Sequence, residues 1–262
     1  MSLLVNKKHR IQHVKLNRPH KRNALTLEMC EGIVEAIESA ERDREIGCTL
    51  ISACGQVFSA GMDIDERVSA SSDQLNQVHD RLFTIGSTAL KPIVIAVNGA
   101  ALGGGLGLAV QGHVVVAEST SVFALPEIRL GLWPFLVYRA VEMALGPRRT
   151  LALSLTGRSF HAQDALSWGL IHQVCPDDEV YDRGHAIARD LGKASPIAIE
   201  AGMRYVREAR GKSWEEAGRV GAILRDELMQ SDDYKEGCEA FKSKREPHWP
   251  SMPEEFYTRV PS

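Results

Sequence analysis

The sequence predicts an α/β core followed by a helical C-terminal region. Short β-branched runs recur through the first half, with apolar residues at helical spacing between some of them. A stretch at residues 92–117 carries no charge (His113 taken as neutral) yet holds six glycines. From Pro196 onward only helical patterns appear. With 262 residues, 44% of them hydrophobic and 25% charged, the chain suits one large domain or two small ones. That composition excludes a disordered or fibrous protein.

Taken in order, strands are expected at residues 3–5, Ile11–Leu16, Cys48–Ala53, Ile93–Val97, residues 114–117 and residues 121–124. Thr26 is a good N-cap, and Met29, Ile33, Ile37 and Ala40 follow it on one helical face. Leu75, Val78, Leu82 and Ile85 repeat that spacing after Asp73. The uncharged stretch is long enough to raise a membrane span, but its glycines weaken a helix interior. Two buried strands around a glycine turn and a short helix account for it better. Residues 136–155 read as helical with a break at Gly146-Pro147, and residues 162–168, 180–191 and 234–244 as further helices. Ser213-Trp214-Glu215-Glu216 is a capping box. A boundary near residue 195 divides a core (1–195) from a helical region (196–262) whose apolar stripe of Val220, Leu224 and Leu228 needs a partner surface. Trp168 and Trp214 read as packing residues.

Charge and cysteine content narrow the function. A net charge of -3 gives no electrostatic reason for a nucleic-acid partner. The five cysteines are widely spaced with no Cys-x-x-Cys, and the nine histidines show no metal-ligand spacing, so neither a disulfide framework nor a metal site is expected. The opening apolar run is too short for a signal peptide, which places the chain in the cytoplasm.

Three segments could carry chemistry. Gly99 to Gly107 follows a strand and opens a helix, where free backbone N–H groups suit a developing negative charge. It matches neither the dinucleotide fingerprint nor the phosphate loop. Phe58-Ser59-Ala60-Gly61-Met62-Asp63-Ile64 is a small-residue turn after a strand, able to form a similar concavity. Glu127 lies beside a run with Leu130, Leu132, Trp133, Pro134 and Phe135, and apolar surroundings tune a carboxylate toward acid/base work.

In order and spacing these segments resemble the enoyl-CoA hydratase/isomerase family, the crotonase superfamily. Leu16-Asn17-Arg18-Pro19, running on to Lys21-Arg22-Asn23-Ala24-Leu25, is similar to its opening motif. Phe58 to Ile64, Asn98 to Gly105, and Phe123-Ala124-Leu125-Pro126-Glu127 are similar to three more. Gly157-Arg158 to Trp168-Gly169-Leu170 and Glu236 to Phe241 match later landmarks. The resemblance implies a crotonase-like spiral of ββα units with a C-terminal helical trimerisation region, forming a homotrimer or dimer of trimers. It implies an acyl-CoA thioester substrate with coenzyme A as part of it, no separate cofactor, and no membrane partner. It also implies an oxyanion hole from the Met62 and Gly104 backbone N–H groups, with Gly103 setting its direction. Arg22, Ala24, Ala60, Asp63 and Ile64 would line the CoA path, and Phe241 and Lys244 of a neighbouring subunit would close over the nucleotide.

The sequence departs from the family's hydratases, which use two glutamates. Glu127 matches the second, but the first falls at Gly107. Large groups such as Trp133 and Phe135 also stand where hydratases have small ones. Adding water needs both acids, whereas moving a double bond needs one carboxylate that lifts a proton and returns it. Isomerisation with Glu127 alone is therefore expected. Hydration with one glutamate, or a silent acyl-CoA binder, are the alternatives.

Overall fold

Strand Ile93–Val97 is apolar at all five positions because both its faces are covered, as the strands of parallel sheets usually are. The computed structural model describes residues 1–69 and 72–258. The first elements are β1 (Leu3–Lys8), β2 (Ile11–Leu16), α1 (Leu27–Arg42), β3 (Cys48–Ala53), β4 (Val57–Ser59), α2 (Ile64–Ser69), α3 (Ser72–Thr88), β5 (Ile93–Val97), β6 (Ala100–Leu102) and α4 (Gly104–Ala109). There follow β7 (Val114–Glu118), β8 (Val122–Ala124), α5 (Phe135–Leu145), α6 (Pro147–Thr156), β9 (Phe160–His161), α7 (Ala162–Ser167), β10 (Gln173–Cys175) and α8 (Val180–Gly192). Three long helices follow, α9 (Pro196–Ala209), α10 (Trp214–Met229) and α11 (Asp232–Ser243), before a short helix α12 (Glu255–Thr258).

The strands form two sheets. The larger runs β1-β2-β3-β5-β7-β10, parallel except for its first pair. The smaller runs β4-β6-β8-β9, with its first three strands parallel. Three successive chain segments therefore repeat one path: a strand in the large sheet (β3, β5, β7), a strand in the small sheet (β4, β6, β8), then a helix. That is the spiral of ββα units expected from the resemblance. The four short strands β4, β6, β9 and β10 went unread in the sequence because two or three residues carry no period.

Most of the core lies between the sheets and helices α1, α3, α4 and α5, with Phe58, Phe123, Phe160, Leu25 and Leu82 fully buried. A second cluster packs α8 on the other face of the large sheet through Leu50, Val94, Ala96, Val116, Val180 and Ala188. Local signals behave as expected. The Thr26 hydroxyl accepts from the Met29 amide, and Ser213 and Glu216 form their reciprocal capping box. Ser195 caps α9 and its hydroxyl also donates to the buried Asp233 carboxylate at 2.5 Å. Asp233 in turn accepts from the Ser251 amide and hydroxyl, which ties the segment after α11 back to α9.

The tail needs one correction. Trp168 packs on Phe160 with ring centroids 5.1 Å apart, but Trp214 is 96% exposed. Helix α10 lies on α9 and buries only Leu224, so a first-turn residue has no cover among the described residues. Val206, Ile223, Met229 and Phe241 are exposed on the same three helices. Among the described residues no helix is long and apolar enough to cross a membrane.

His13 on β2 is buried, with its Nε2 2.7 Å from the Ser52 hydroxyl. Burial, with smaller help from the nearby positive charges of Lys15 and His185, pushes its pKa down to about 4. The unfolded side chain titrates near 6.5, so between those values the unfolded chain binds more protons. Stability is thus intact above about 6.5 and falls as pH drops toward about 4. Urea midpoints measured across that window are expected to fall with acid, and to fall less steeply for His13→Gln.

Candidate active site

The carboxyl ends of β4, β6 and β8 lie side by side because these strands pair in parallel, Ser59 opposite Ala101 and Leu102 opposite Ala124. Each end delivers one candidate group within three residues: Met62 after β4, Gly104 after β6 and Glu127 after β8.

At the first end the chain bridges to Leu25, whose amide donates to the Gly61 carbonyl while its carbonyl accepts from the Asp63 amide. Such a parallel bridge uses the groups flanking Met62 and leaves the Met62 N–H outside the ladder. Gly61 adopts φ +103, a left-handed region that any side chain would strain. A fully buried Asn23 braces the turn. Its side-chain amide donates to the Cys54 and Val57 carbonyls, and its own carbonyl accepts from the Ser59 hydroxyl.

At the second end Gly103, at φ +51, donates its amide to the Ala124 carbonyl and turns the chain into α4. Gly104 is the first residue of that helix, so its N–H has no intrahelical acceptor. The two turns are in contact. A methyl on Gly104 would sit 2.7 Å from the Met62 sulfur and 3.4 Å from the Met62 amide nitrogen. At the third end Glu127 opens a short 3₁₀ turn (Pro126–Leu130) and is 9% exposed. Its carboxyl lies over Gly103, where a methyl would meet Oε1 at 2.7 Å. Met62, Gly103, Gly104 and Glu127 thus lie together at the carboxyl ends of the small sheet.

The remaining expected site residues divide. Arg22, Ala24, Ala60, Asp63 and Ile64 share the lip beside Met62: the Arg22 carbonyl accepts from the Ala60 amide, and Ile64 is exposed. Arg18 crosses beneath, donating to the Ala24 carbonyl and pairing with Asp63 at 3.0 Å. Burial disfavours the Asp63 charge, but the Arg18 guanidinium and the amides of Glu66 and Asp65 hold its carboxyl below the usual range. Asp63 therefore braces the turn. Phe241 and Lys244 lie exposed at the end of α11. Trp133 and Phe135, expected beside Glu127 as substrate-binding residues, sit differently. Trp133 is half-buried beside Tyr138, but Phe135 is 72% exposed because α5 turns Val137, Val141 and Leu145 inward.

Position 107 is closed by packing. A Cβ on Gly107 would lie 2.7 Å from the Phe83 ring and 2.9 Å from a Val137 methyl. Of the acids that could stand in for one at position 107, Asp65 has its side chain 90% exposed beside Lys21, and Glu142 pairs with Arg139 at 3.0 Å. Sequence reading missed Asn23, Arg18 and Phe83 as contributors to the site. Asn23 and Arg18 stood inside a recognised motif, but nothing in the spacing links Phe83 to a glycine on another helix.

A family model described as enoyl-CoA hydratase/isomerase matches residues 6–252. The chain belongs to the enoyl-CoA hydratase/isomerase family. Its 2,3-dehydroadipyl-CoA hydratase relative from Escherichia coli is 32% identical over 94% of this chain and 97% of that protein. The zebrafish (Danio rerio) enoyl-CoA hydratase domain-containing protein 3, mitochondrial, is 33% identical over 91% of this chain and 84% of its own length. The crystal structure of an enoyl-CoA hydratase subunit from Geobacillus kaustophilus superposes with a TM-score of 0.88 at 28% identity, covering 96% and 99% of the two chains.

Within this family member, adding a methyl at position 107 should overpack the contact with Phe83 at a cost of about 1–3 kcal/mol, partly offset by about 1 kcal/mol of helix propensity. Gly107→Ala is expected to lower the urea unfolding free energy in the parent, and to lower it less in a Phe83→Ala background, where only the Val137 methyl still presses on the added carbon. Additive effects of the two changes would show that the ring does not fill that space.

Proposed function

We propose that this enoyl-CoA hydratase/isomerase family member binds an acyl-CoA thioester with its carbonyl oxygen between the Met62 and Gly104 amides, and moves a carbon–carbon double bond. The observation that carries the reading is the packing of Phe83 and Val137 against Gly107, with the buried Glu127 carboxyl over Gly103. In a 3-enoyl-CoA the C2 proton lies between the thioester carbonyl and the double bond. Glu127 takes that proton, the electron pair delocalises to the thioester oxygen, and the two amides meet the new negative charge. The protonated Glu127 then returns the proton to C4, leaving the double bond between C2 and C3. One donor of this kind is worth about 2.7–4 kcal/mol, and the Gly104 amide adds the positive end of a helix dipole.

Coenzyme A enters as part of the substrate, along the lip of Arg22, Ala24, Ala60 and Ile64. By this reading, α9 to α11 join copies into a homotrimer or dimer of trimers, and Phe241 and Lys244 of a neighbour cover the nucleotide. The exposed Val206, Trp214, Ile223 and Phe241 support that assembly. The free thiols of Cys30 and Cys48, which burial pushes up to about 12, fit a reducing compartment such as the cytoplasm and not a nucleophilic role. The names of the relatives favour a second reading, slow hydration of a 2-enoyl-CoA with Glu127 alone.

The purified protein is expected to convert a 3-enoyl-CoA to the 2-enoyl isomer faster than it hydrates crotonyl-CoA, followed by absorbance and chromatography. Rapid hydration with no action on the 3-enoyl thioester would overturn the isomerase reading. Glu127→Gln should lower turnover by about 10²–10⁴-fold while acyl-CoA binding persists. Gly104→Ala keeps a helical backbone but puts a methyl against Met62, and should cost about 10²–10³-fold in kcat with an unchanged circular-dichroism spectrum.

A further inference from the structure

Gly103, Gly107 and Val110, on α4 and its flanks, form a single stripe, since they are four and three residues apart. The Glu127 carboxyl lies over Gly103. The Phe83 ring and Val137 close over Gly107. Val110 then borders a cavity of about 300 Å³ between α3, the end of α4 and α5, also lined by Leu136, Ala140 and Met143. Phe83 is itself part of that lining, and its side chain is buried. The ring therefore stands between Gly107, one helical turn on from Gly103 and the Glu127 carboxyl, and a space whose walls are apolar but also include Asp80, Arg139 and Arg210. Gly104 and Val110 are separated by about 9 Å of helix, so the ring falls within a few carbons of the reacting centre.

We propose that Phe83 sets the acyl-chain length this protein accepts. The chain of the thioester runs from the Met62 and Gly104 amides along the glycine face of α4 and stops at the Phe83 ring, so short acyl groups are bound and longer ones gain nothing. The cavity behind the ring is room that a smaller side chain at position 83 would join to the acyl site. This assignment rests on the acyl-CoA reading given above, and does not depend on which reaction follows. The same contact leaves no space for a side chain at position 107, so the ring and an acid at that position exclude one another.

The test is equilibrium binding of butyryl-CoA and decanoyl-CoA, by calorimetry, to the full-length parent, Phe83→Leu and Phe83→Ala. Burying two further methylenes is worth about tenfold in affinity. The parent is expected to bind decanoyl-CoA no more tightly than butyryl-CoA. Phe83→Ala should bind decanoyl-CoA at least about tenfold more tightly than the parent does, with Phe83→Leu in between. Thermal melts establish that each variant is folded, and Phe83→Leu carries the comparison if the alanine variant is not. A parent that already gains about tenfold with the longer chain overturns the proposal, as do folded variants with the parent's profile. Failure of all three proteins to bind either thioester would overturn the acyl-CoA reading itself, and the role of Phe83 with it.

Discussion

The parallel pairing of β4, β6 and β8 is the constraint on which the site depends. Three strands of only three residues each would not hold together alone, but each is the second strand of a turn whose first strand is locked in the large sheet. Stacking those turns fixes the register of the small sheet, and the register brings three chain segments far apart in sequence to one point. Because parallel strands end on the same side, Met62, Gly104 and Glu127 come together at one end of the small sheet. A slip of one residue in any of these strands would turn its group to the opposite face.

Small residues at the strand ends are the second requirement. Gly61 and Gly103 adopt backbone conformations that side chains resist, and Gly103 and Gly104 leave space that Glu127 and Met62 occupy. The turn after β4 is held further by Asn23, which bonds two carbonyls and one hydroxyl at once, and by the Arg18–Asp63 pair. Removing either partner would leave buried polar groups without the bonds that offset their desolvation. Rigidity matters at such a site, because donors already aimed at a developing charge need no reorganisation when it appears.

Packing one turn further along α4 fixes what can stand at position 107. Phe83 and Val137 come from α3 and α5, and together they make the neighbourhood of Gly107 apolar. Helices α9 to α11 present the opposite case. They leave Trp214, Ile223 and Phe241 uncovered in the single chain, apolar area that association would remove from water.

Much was legible in the residues themselves. The long strands and helices follow from hydrophobic period and capping, as at Thr26 and Ser213, because those forces act between near neighbours in the chain. The family resemblance followed from motifs whose order and spacing are linear properties. The small sheet was hidden, since strands such as Phe160–His161 are too short to show a period and are stabilised only by partners distant in sequence. The outward position of Phe135 and Trp214, the bracing by Asn23, and the closure of position 107 by Phe83 were decided by tertiary structure alone. Each depends on which side chain a fold carries into contact across dozens of residues. No local force records that choice.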